Sequence, residues 1–166
     1  MVKIYVKDFG VMSAELYWDA APNSCANFVS VARQGLYEGT VFHRIIKNFM
    51  IQGGALEMVG KSLGYTIKGE FKANGVDNPI KHTRGVLSYA RTMVNDSATT
   101  QFFIVHKDSP HLDGQYAAFG KLIDGYDVLD KLANLPTNFR DMPYPLPVIE
   151  KVEVIDEPER EVEKIK

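Results

Sequence analysis

The chain has 166 residues, of which 45% are hydrophobic and 24% are charged. This length and composition fit one compact domain that can bury a sizeable core. The formal net charge of -2 lacks the excess of positive charge that nucleic acids and anionic membranes attract. We therefore expect neither nucleic acid nor a membrane as a partner.

The cysteine content and the first residues of the chain indicate the cellular compartment in which the protein is expected. Cys25 is the only cysteine, so the chain can form neither an internal disulfide nor a Cys-x-x-Cys pair. Lys3, Lys7 and Asp8 interrupt the apolar residues of the first segment, which therefore matches neither a signal peptide nor a membrane-spanning helix. Both observations favour a reducing compartment, and we expect a cytoplasmic protein.

The chain is predicted to open with a hairpin and a helix. Apolar residues alternate from Val2 to Val6 and from Val11 to Tyr17, which predicts two paired strands. Pro22 suits the first turn of a helix, and apolar residues follow it at helical spacing. Gly35 or Gly39 is expected to end that helix.

Five short strand-like runs follow, separated by turns that contain Gly, Asn or Asp. These runs are Val41–Ile46, Phe49–Gln52, Gly85–Ala90, Gln101–Val105 and Ala117–Ile123. A second helix is predicted over Tyr126–Asn134, and a last strand over Val148–Ile155 ends the predicted domain at residue 155. So many short strands indicate a closed or sandwiched antiparallel sheet, with the two helices as covers at its ends.

Three segments lie outside this pattern. Residues 56–78 predict a long surface loop with one strand at residues 65–67. Three prolines between Pro143 and Pro147 predict a rigid surface connector. Residues 156–166 alternate acidic and basic side chains, which is typical of a solvated or frayed end, and we expect a charged tail there.

Two of the strand-like runs combine apolar residues with isolated polar side chains. Because side chains alternate along a strand, Met50 and Gln52 share one face, and the turn before them can bring Arg44 alongside. Gln101 and Phe103 share a face in the second run. Together these faces predict a hydrophobic pocket with polar edges, of the kind that holds a small ring. Taken singly, the arginine is more typical of a solvated strand residue, and the apolar residues are more typical of a core.

Five ordered motifs carry a family resemblance. They are FHRIIKNFMIQGG (42–54), GVLSYAR (85–91), SATTQFFI (97–104), LDG (112–114) and FGKLIDGYDVLD (119–130). In order and spacing they resemble the signatures of the cyclophilin family, and residues 81–92 resemble its bacterial members. The resemblance implies a mainly β fold, an eight-stranded antiparallel closed β-barrel capped by two α-helices. It also implies a peptidyl-prolyl cis-trans isomerase that acts on X-Pro bonds and assists protein folding.

The resemblance further implies roles for individual residues. Arg44 is expected to be the catalytic arginine, with Gln52 orienting it and Gln101 orienting the substrate backbone. The main chain of Ala90 and Arg91 is expected to pair with the residue before proline. Four apolar residues are expected to line the proline pocket: Phe49, Met50, Phe103 and Leu112.

Three positions depart from the family pattern. Arg91 stands where Asn is more common, a change that main-chain pairing survives. His111 stands at the pocket rim where many members have Trp, and Tyr116 where many have a pocket His. Both remain expected substrate-binding residues, but the altered rim implies weak binding of cyclosporin, the family's cyclic-peptide inhibitor. The implied partners are proline-containing polypeptides, and no metal or other cofactor is implied.

Other functions fit the sequence less well. Gly54 and Gly60-Lys61-Ser62 resemble a phosphate-binding loop, but five residues separate the two glycines where the motif has four. The four histidines lack the paired spacing of zinc sites, and the G-x-S-x-G elbow of serine hydrolases is missing. The remaining alternative is a cyclophilin-like binding module without useful turnover. The presence of Arg44 together with the apolar set favours the enzyme.

Overall fold

The computed structural model describes residues 1–166 and contains eight β-strands and two α-helices. In chain order they are β1 (Val2–Val6), β2 (Gly10–Leu16), α1 (Pro22–Arg33), β3 (Phe42–Ile46), β4 (Met50–Gly53), β5 (Val86–Tyr89), β6 (Phe102–Val105), β7 (Ala118–Asp124), α2 (Tyr126–Ala133) and β8 (Ile149–Val154). These eight strands and α2 begin and end within one residue of the predicted positions. The predicted strand at residues 65–67 is wrong, because Thr66 and Ile67 form only isolated bridges.

All eight strands form one antiparallel sheet in the order β3-β4-β6-β5-β7-β2-β1-β8. The expected closed barrel is wrong, because the sheet curls through 244° and remains an open half-barrel. Its edge strands, β3 and β8, share no ladder, and a single bridge joins Val41 to Val148 beside them. The chain that leads into β8 contains Pro143, Pro145 and Pro147, and proline has no N–H to contribute to a ladder.

Helix α1 is fixed at both ends by residues that the sequence places there. Pro22 occupies its first turn, and the Glu70 carboxylate, 46 residues further along the chain, accepts hydrogen bonds from the Ser24 N–H at 2.5 Å and the Ser24 hydroxyl at 2.7 Å. A carboxylate at this end also complements the positive end of the helix dipole. Gly35 follows the helix with φ +69°, a left-handed conformation that favours glycine, so the predicted end at Gly35 is confirmed.

Helix α2 begins after a second required glycine. Gly125 has φ +90°, and a Cβ there would collide with the Val11 carbonyl oxygen of β2. The close approach lets α2 pack against the hairpin with Leu129 and Leu132 fully buried. Neither helix is long and apolar enough to span a membrane.

The curved sheet has a core face and a pocket face. Ile51 of β4 and Ile104 of β6 are fully buried in the main core, against which α1 packs. Because side chains alternate along a strand, their neighbours point the other way. Met50, Phe103 and Val105 therefore belong to a second, smaller apolar cluster on the opposite face. This second cluster forms the floor of the candidate site.

The predicted fraying of the tail is wrong, because residues 157–165 dock on the body of the protein, although most of their side chains are exposed to solvent as predicted. The Asn23 side chain exchanges two hydrogen bonds with the main chain of Glu163, at 2.8 and 2.9 Å. Thr66 and Ile165 exchange two more main-chain bonds, and Val162 is buried in the main core. The alternating charges of the tail sequence give no indication of these few apolar and main-chain contacts.

Replacing Asn23 by alanine is expected to lower the free energy of unfolding by about 1–3 kcal/mol, since two hydrogen bonds worth about 0.5–1.5 kcal/mol each are lost. Thermal unfolding followed by circular dichroism measures the effect. Gln34→Ala is the matched control, because it removes two exposed, local hydrogen bonds to Ser30 just after the same helix and no hydrogen bond with the tail, and it should lower the midpoint much less. Equal midpoints for Asn23→Ala and the wild type would mean that the tail does not dock.

Candidate active site

A row of side chains crosses four neighbouring strands on the pocket face. Arg44 of β3 pairs with Gln52 of β4, which pairs with Phe103 of β6. Phe103 in turn pairs with Ser88 of β5. Directly paired residues of antiparallel strands point to the same face of the sheet. The two strand faces that the sequence predicted separately are therefore one surface.

The polar part of this surface is a chain of three side chains. Arg44 Nη1 donates to Gln52 Oε1 at 3.4 Å, and Gln52 Nε2 donates to Gln101 Oε1 at 2.9 Å. The Arg44 side chain is exposed, and no carboxylate lies within 4.0 Å of its guanidinium. The glutamines therefore orient the arginine without neutralising it, and its remaining N–H groups are free to donate to a ligand.

Beside the arginine lies a cavity of about 160 Å³, and six of its nine lining residues are hydrophobic. Met50 and Phe103 are 2% and 5% exposed, so their side chains are fixed by packing. Nine residues line the cavity: Arg44, Phe49, Met50, Gln52, Ala90, Arg91, Phe103, Leu112 and Tyr116. All nine belong to the set predicted from the sequence, and the space suits a small ring rather than a large ligand.

Arg91 forms one side of the cavity together with Tyr116. Its guanidinium carbon lies 4.6 Å from the ring centroid of Tyr116 and 4.9 Å from that of Phe71. Nη2 donates to the Gln115 carbonyl oxygen at 2.6 Å, which ties the guanidinium to the loop that carries Tyr116. The main-chain N–H of Arg91 donates to no group of the protein. The side chain therefore has a structural partner, while the main chain is free to pair with a peptide.

The two remaining predicted residues lie at the edges of the cavity. His111 is exposed at the rim, and its ring lies 5.5 Å from that of Phe49 with an interplanar angle of 32°. Gln101 lies in a neighbouring depression of about 280 Å³ that also contains Glu57 and Thr99. Thus every predicted site residue lies in or beside one continuous groove.

A histidine fixes the turn that presents Phe49. His106 Nδ1 accepts a hydrogen bond from the Asn48 N–H at 2.9 Å, so its Nε2 carries the proton that faces Asp130 at 3.0 Å. Arg84 donates to the same carboxylate, and this hydrogen bond is the main reason that the pKa of Asp130 lies below its usual value. The position of Phe49 therefore depends on a cluster outside the cavity.

A second polar cluster lies behind the cavity and was not singled out from the sequence. His82 Nε2 is 2.9 Å from Ser88 Oγ, and Nδ1 is 3.1 Å from Asp113 Oδ1. Burial lowers the pKa of His82, although the hydrogen bond to Asp113 opposes that shift. The available signal was Ser88, one polar residue inside an apolar strand. No group of three or more His, Cys, Asp or Glu side chains is arranged to hold a metal ion.

Fold and groove together match a known class of protein. The family model for cyclophilin type peptidyl-prolyl cis-trans isomerase/CLD matches residues 1–154. The chain therefore belongs to the cyclophilin-type peptidyl-prolyl cis-trans isomerases, and the resemblance drawn from the five motifs is confirmed. The enzyme class is that of an isomerase.

Individual relatives agree with this assignment. The chain is 48% identical over 138 residues to a peptidyl-prolyl cis-trans isomerase of Acinetobacter baylyi, a match that covers 79% of this chain and 71% of the relative. It is 37% identical to a longer protein of Rhizopus delemar, peptidyl-prolyl cis-trans isomerase-like 2, and spans 30% of that protein's length. A cyclophilin type isomerase of Cryptosporidium parvum, solved in the presence of the dipeptide Ala-Pro, superimposes with a TM-score of 0.82 at 32% identity, covering 94% of this chain and 99% of that one.

Proposed function

We propose that this protein accelerates cis-trans rotation about X-Pro bonds in other polypeptides, and that Arg44 stabilises the twisted transition state. The observation that supports this most directly is an arginine with no carboxylate partner, oriented by Gln52, beside a cavity of about 160 Å³ that is lined mainly by hydrophobic residues. The relative solved in the presence of Ala-Pro supports a proline-containing substrate.

The chemistry of the peptide bond explains why an arginine is suitable. Rotation has a barrier of about 18–20 kcal/mol, because the nitrogen lone pair is delocalised into the carbonyl group. At the twisted transition state this delocalisation is lost, and the prolyl nitrogen becomes a hydrogen-bond acceptor. A guanidinium donor then binds the transition state more tightly than the planar substrate. Such differential binding is the condition for raising the rate of the chemical step.

One hydrogen bond is not sufficient for the whole effect. Raising the rate from about 0.01 per second to roughly 10–1,000 per second requires a barrier lower by about 4–7 kcal/mol. A hydrogen bond to a charged group contributes about 1.5–3 kcal/mol. The remainder is assigned to the apolar wall, which excludes water and holds the ring while the preceding segment rotates. The wall consists of Phe49, Met50, Phe103 and Leu112.

The rest of the groove is assigned to the substrate backbone. The free main-chain N–H of Arg91 pairs with the residue before proline, next to Ala90. Gln101 orients the same segment from the neighbouring depression. Both contacts use backbone groups that every peptide offers, so we expect broad tolerance of the client sequence. We place this activity in the cytoplasm, where it would assist the folding of proline-containing proteins.

A protease-coupled assay tests the proposal. A protease that cleaves only the trans form of a proline peptide reports the rate at which the cis form converts, with and without the purified protein. We expect the conversion to accelerate in proportion to protein concentration. Peptide binding without acceleration would favour the alternative, a binding module that holds proline-containing segments.

Addition of a metal chelator is expected to leave the catalysed rate unchanged. Rotation about a peptide bond forms no covalent bond and transfers no proton, so the proposed steps need neither a Lewis acid nor a cofactor. The same assay is run with the protein before and after incubation with excess EDTA. A loss of activity that added metal restores would contradict this mechanism.

A further inference from the structure

His82 lies directly behind the wall of the proline cavity and is 1% exposed. Its ring stacks on Phe103, with centroids 6.0 Å apart and an interplanar angle of 21°. Its main-chain N–H donates to Asp113 Oδ1 at 2.6 Å, and its Nδ1 lies 3.1 Å from the same oxygen. Its Nε2 lies 2.9 Å from Ser88 Oγ. The imidazole is thus held from three directions.

Each of these three partners lies in or next to a different part of the cavity. Phe103 is the wall itself, and Ser88 is its directly paired neighbour at the end of the row that begins with Arg44. Asp113 follows Leu112 in the short turn that forms the rim. The hydrogen bonds of His82 to Ser88 and Asp113 therefore reach the two sides of the cavity, the wall and the rim. The distance between these two sides determines how tightly a proline ring fits.

The hydrogen bonds fix where the proton of the imidazole lies. A carboxylate can only accept, so Nδ1 carries the hydrogen toward Asp113. Nε2 is then an acceptor, and the Ser88 hydroxyl donates to it. The Ser88 hydroxyl has no other hydrogen-bond partner, and the residue is 0% exposed, so the hydroxyl cannot reach a substrate as a nucleophile. The Ser-His-Asp arrangement here is consequently a brace and not a hydrolytic triad.

We propose that His82 is a positioning residue for the isomerase reaction, which in its neutral form holds Phe103 and the Leu112 rim at the spacing that grips proline. This inference rests on the proposed X-Pro isomerase activity. Protonation would turn Nε2 from an acceptor into a donor facing the Ser88 hydroxyl, and the bond to Ser88 would have to rearrange. The proposal therefore includes a loss of catalytic efficiency at acid pH.

The charges around His82 determine the pH range in which catalytic efficiency is lost. Asp113 is the carboxylate that faces it, and His111 is the other titratable group that acts on it, whereas β5 and β6 present only the uncharged Ser88 and Phe103. Burial outweighs the carboxylate and keeps the pKa of His82 below the ordinary value of about 6.5. At neutral pH His82 is therefore uncharged and keeps its hydrogen bonds to Ser88 and Asp113. The bond to Ser88 is lost only as the pH falls below the ordinary histidine pKa.

Two substitutions test the two hydrogen bonds of the His82 ring one at a time. His82→Asn keeps a donor near the position of Nδ1, so it retains the bond to Asp113 and loses the one to Ser88. His82→Gln keeps an acceptor near the position of Nε2, so it retains the bond to Ser88 and loses the one to Asp113. Neither the Asn nor the Gln side chain titrates. His43→Gln is the matched control, since burial also lowers the pKa of His43 but that residue does not line the cavity.

The test measures kcat/KM by NMR exchange between the cis and trans forms of a blocked Ala-Ala-Pro-Ala peptide, from about pH 7.5 down to the lowest pH at which circular dichroism shows that the protein stays folded. The method needs no protease, and the peptide has no titrating group. We expect both His82 variants to lose roughly three- to ten-fold at the upper pH, the effect of one hydrogen bond. On acidification, kcat/KM of the wild type and of His43→Gln should fall by a similar factor, whereas kcat/KM of His82→Gln should not change.

The proposal would be overturned if His82→Gln followed the acid fall of the wild type, or if both His82 variants lost only thermal stability. If the wild type catalyses nothing at any pH, the isomerase proposal fails on its own. His82 is then judged from the NMR signals of the Leu112 methyl groups and the Phe103 ring. These signals should shift with acid in the wild type and in His43→Gln but not in His82→Gln, and identical behaviour in all three would refute the brace.

Discussion

Replacing Arg44 by alanine is expected to lower turnover of a proline peptide roughly ten- to a hundred-fold, because a transition-state hydrogen bond worth about 1.5–3 kcal/mol is removed. Peptide affinity should change much less, since the apolar wall that holds the ring is untouched. The substitution is also structurally mild, because the side chain is exposed and bonds only to Gln52 at 3.4 Å. Steady-state kinetics combined with a separate titration of peptide binding distinguishes the two quantities.

Arg140→Ala is the matched control for the loss of one positive charge. Arg140 is exposed on the connector before β8, where its guanidinium lies 5.3 Å from the Phe139 ring, and it does not line the cavity. Its variant should retain wild-type turnover. If Arg44→Ala lost affinity but kept the turnover of bound peptide, Arg44 would be a binding residue and the proposed mechanism would be wrong.

Replacing His111 by tryptophan is expected to tighten cyclosporin binding by at least about tenfold while changing small-peptide turnover far less. A rim tryptophan adds about 50 Å² of apolar contact, worth roughly 1.2 kcal/mol at about 25 cal/mol per Å². Its indole N–H adds a donor worth about 1 kcal/mol. Together these correspond to roughly thirty- to fifty-fold. The existing contact of His111 with Phe49, at 5.5 Å between ring centroids, gives the larger ring a surface to rest on.

His111→Phe separates the two contributions, because phenylalanine supplies apolar area without an N–H donor. Its affinity for cyclosporin should lie between those of the wild type and His111→Trp. Titration of the inhibitor against all three proteins by calorimetry measures the series. Equal affinities throughout would mean that His111 does not contact the inhibitor, and would contradict the expectation that His111 weakens cyclosporin binding.

The sequence predicted the strands well because their patterns are local. Alternation of apolar residues and the turn residues between runs located each strand to within one residue. The same alternation put Met50 and Gln52 on one face, and Gln101 and Phe103 on another. Which strands lie side by side is not a local property. The alternation suggested that the two faces form one pocket, and the family resemblance then assigned this pocket to proline and gave its residues their roles.

Three features were beyond the sequence for the same reason. Closure of the sheet depends on whether β3 and β8 pair, and only the isolated bridge between Val41 and Val148 joins the chain beside them. Docking of the tail depends on Asn23, 140 residues away from its partner Glu163. The His82 cluster joins side chains whose strands and loop become neighbours only in the folded sheet. Each of these is a long-range contact with little local pattern of its own.

The proposed catalysis is tested most directly by the exchange rate of a proline peptide while it is bound to the protein. Magnetisation-transfer NMR on a blocked Ala-Pro peptide, saturated with wild-type protein, measures rotation without any coupling enzyme. We expect exchange at roughly 10 per second or faster, against about 0.01 per second for the free peptide. A peptide that binds in the groove but exchanges no faster than it does in free solution would contradict the proposed catalysis.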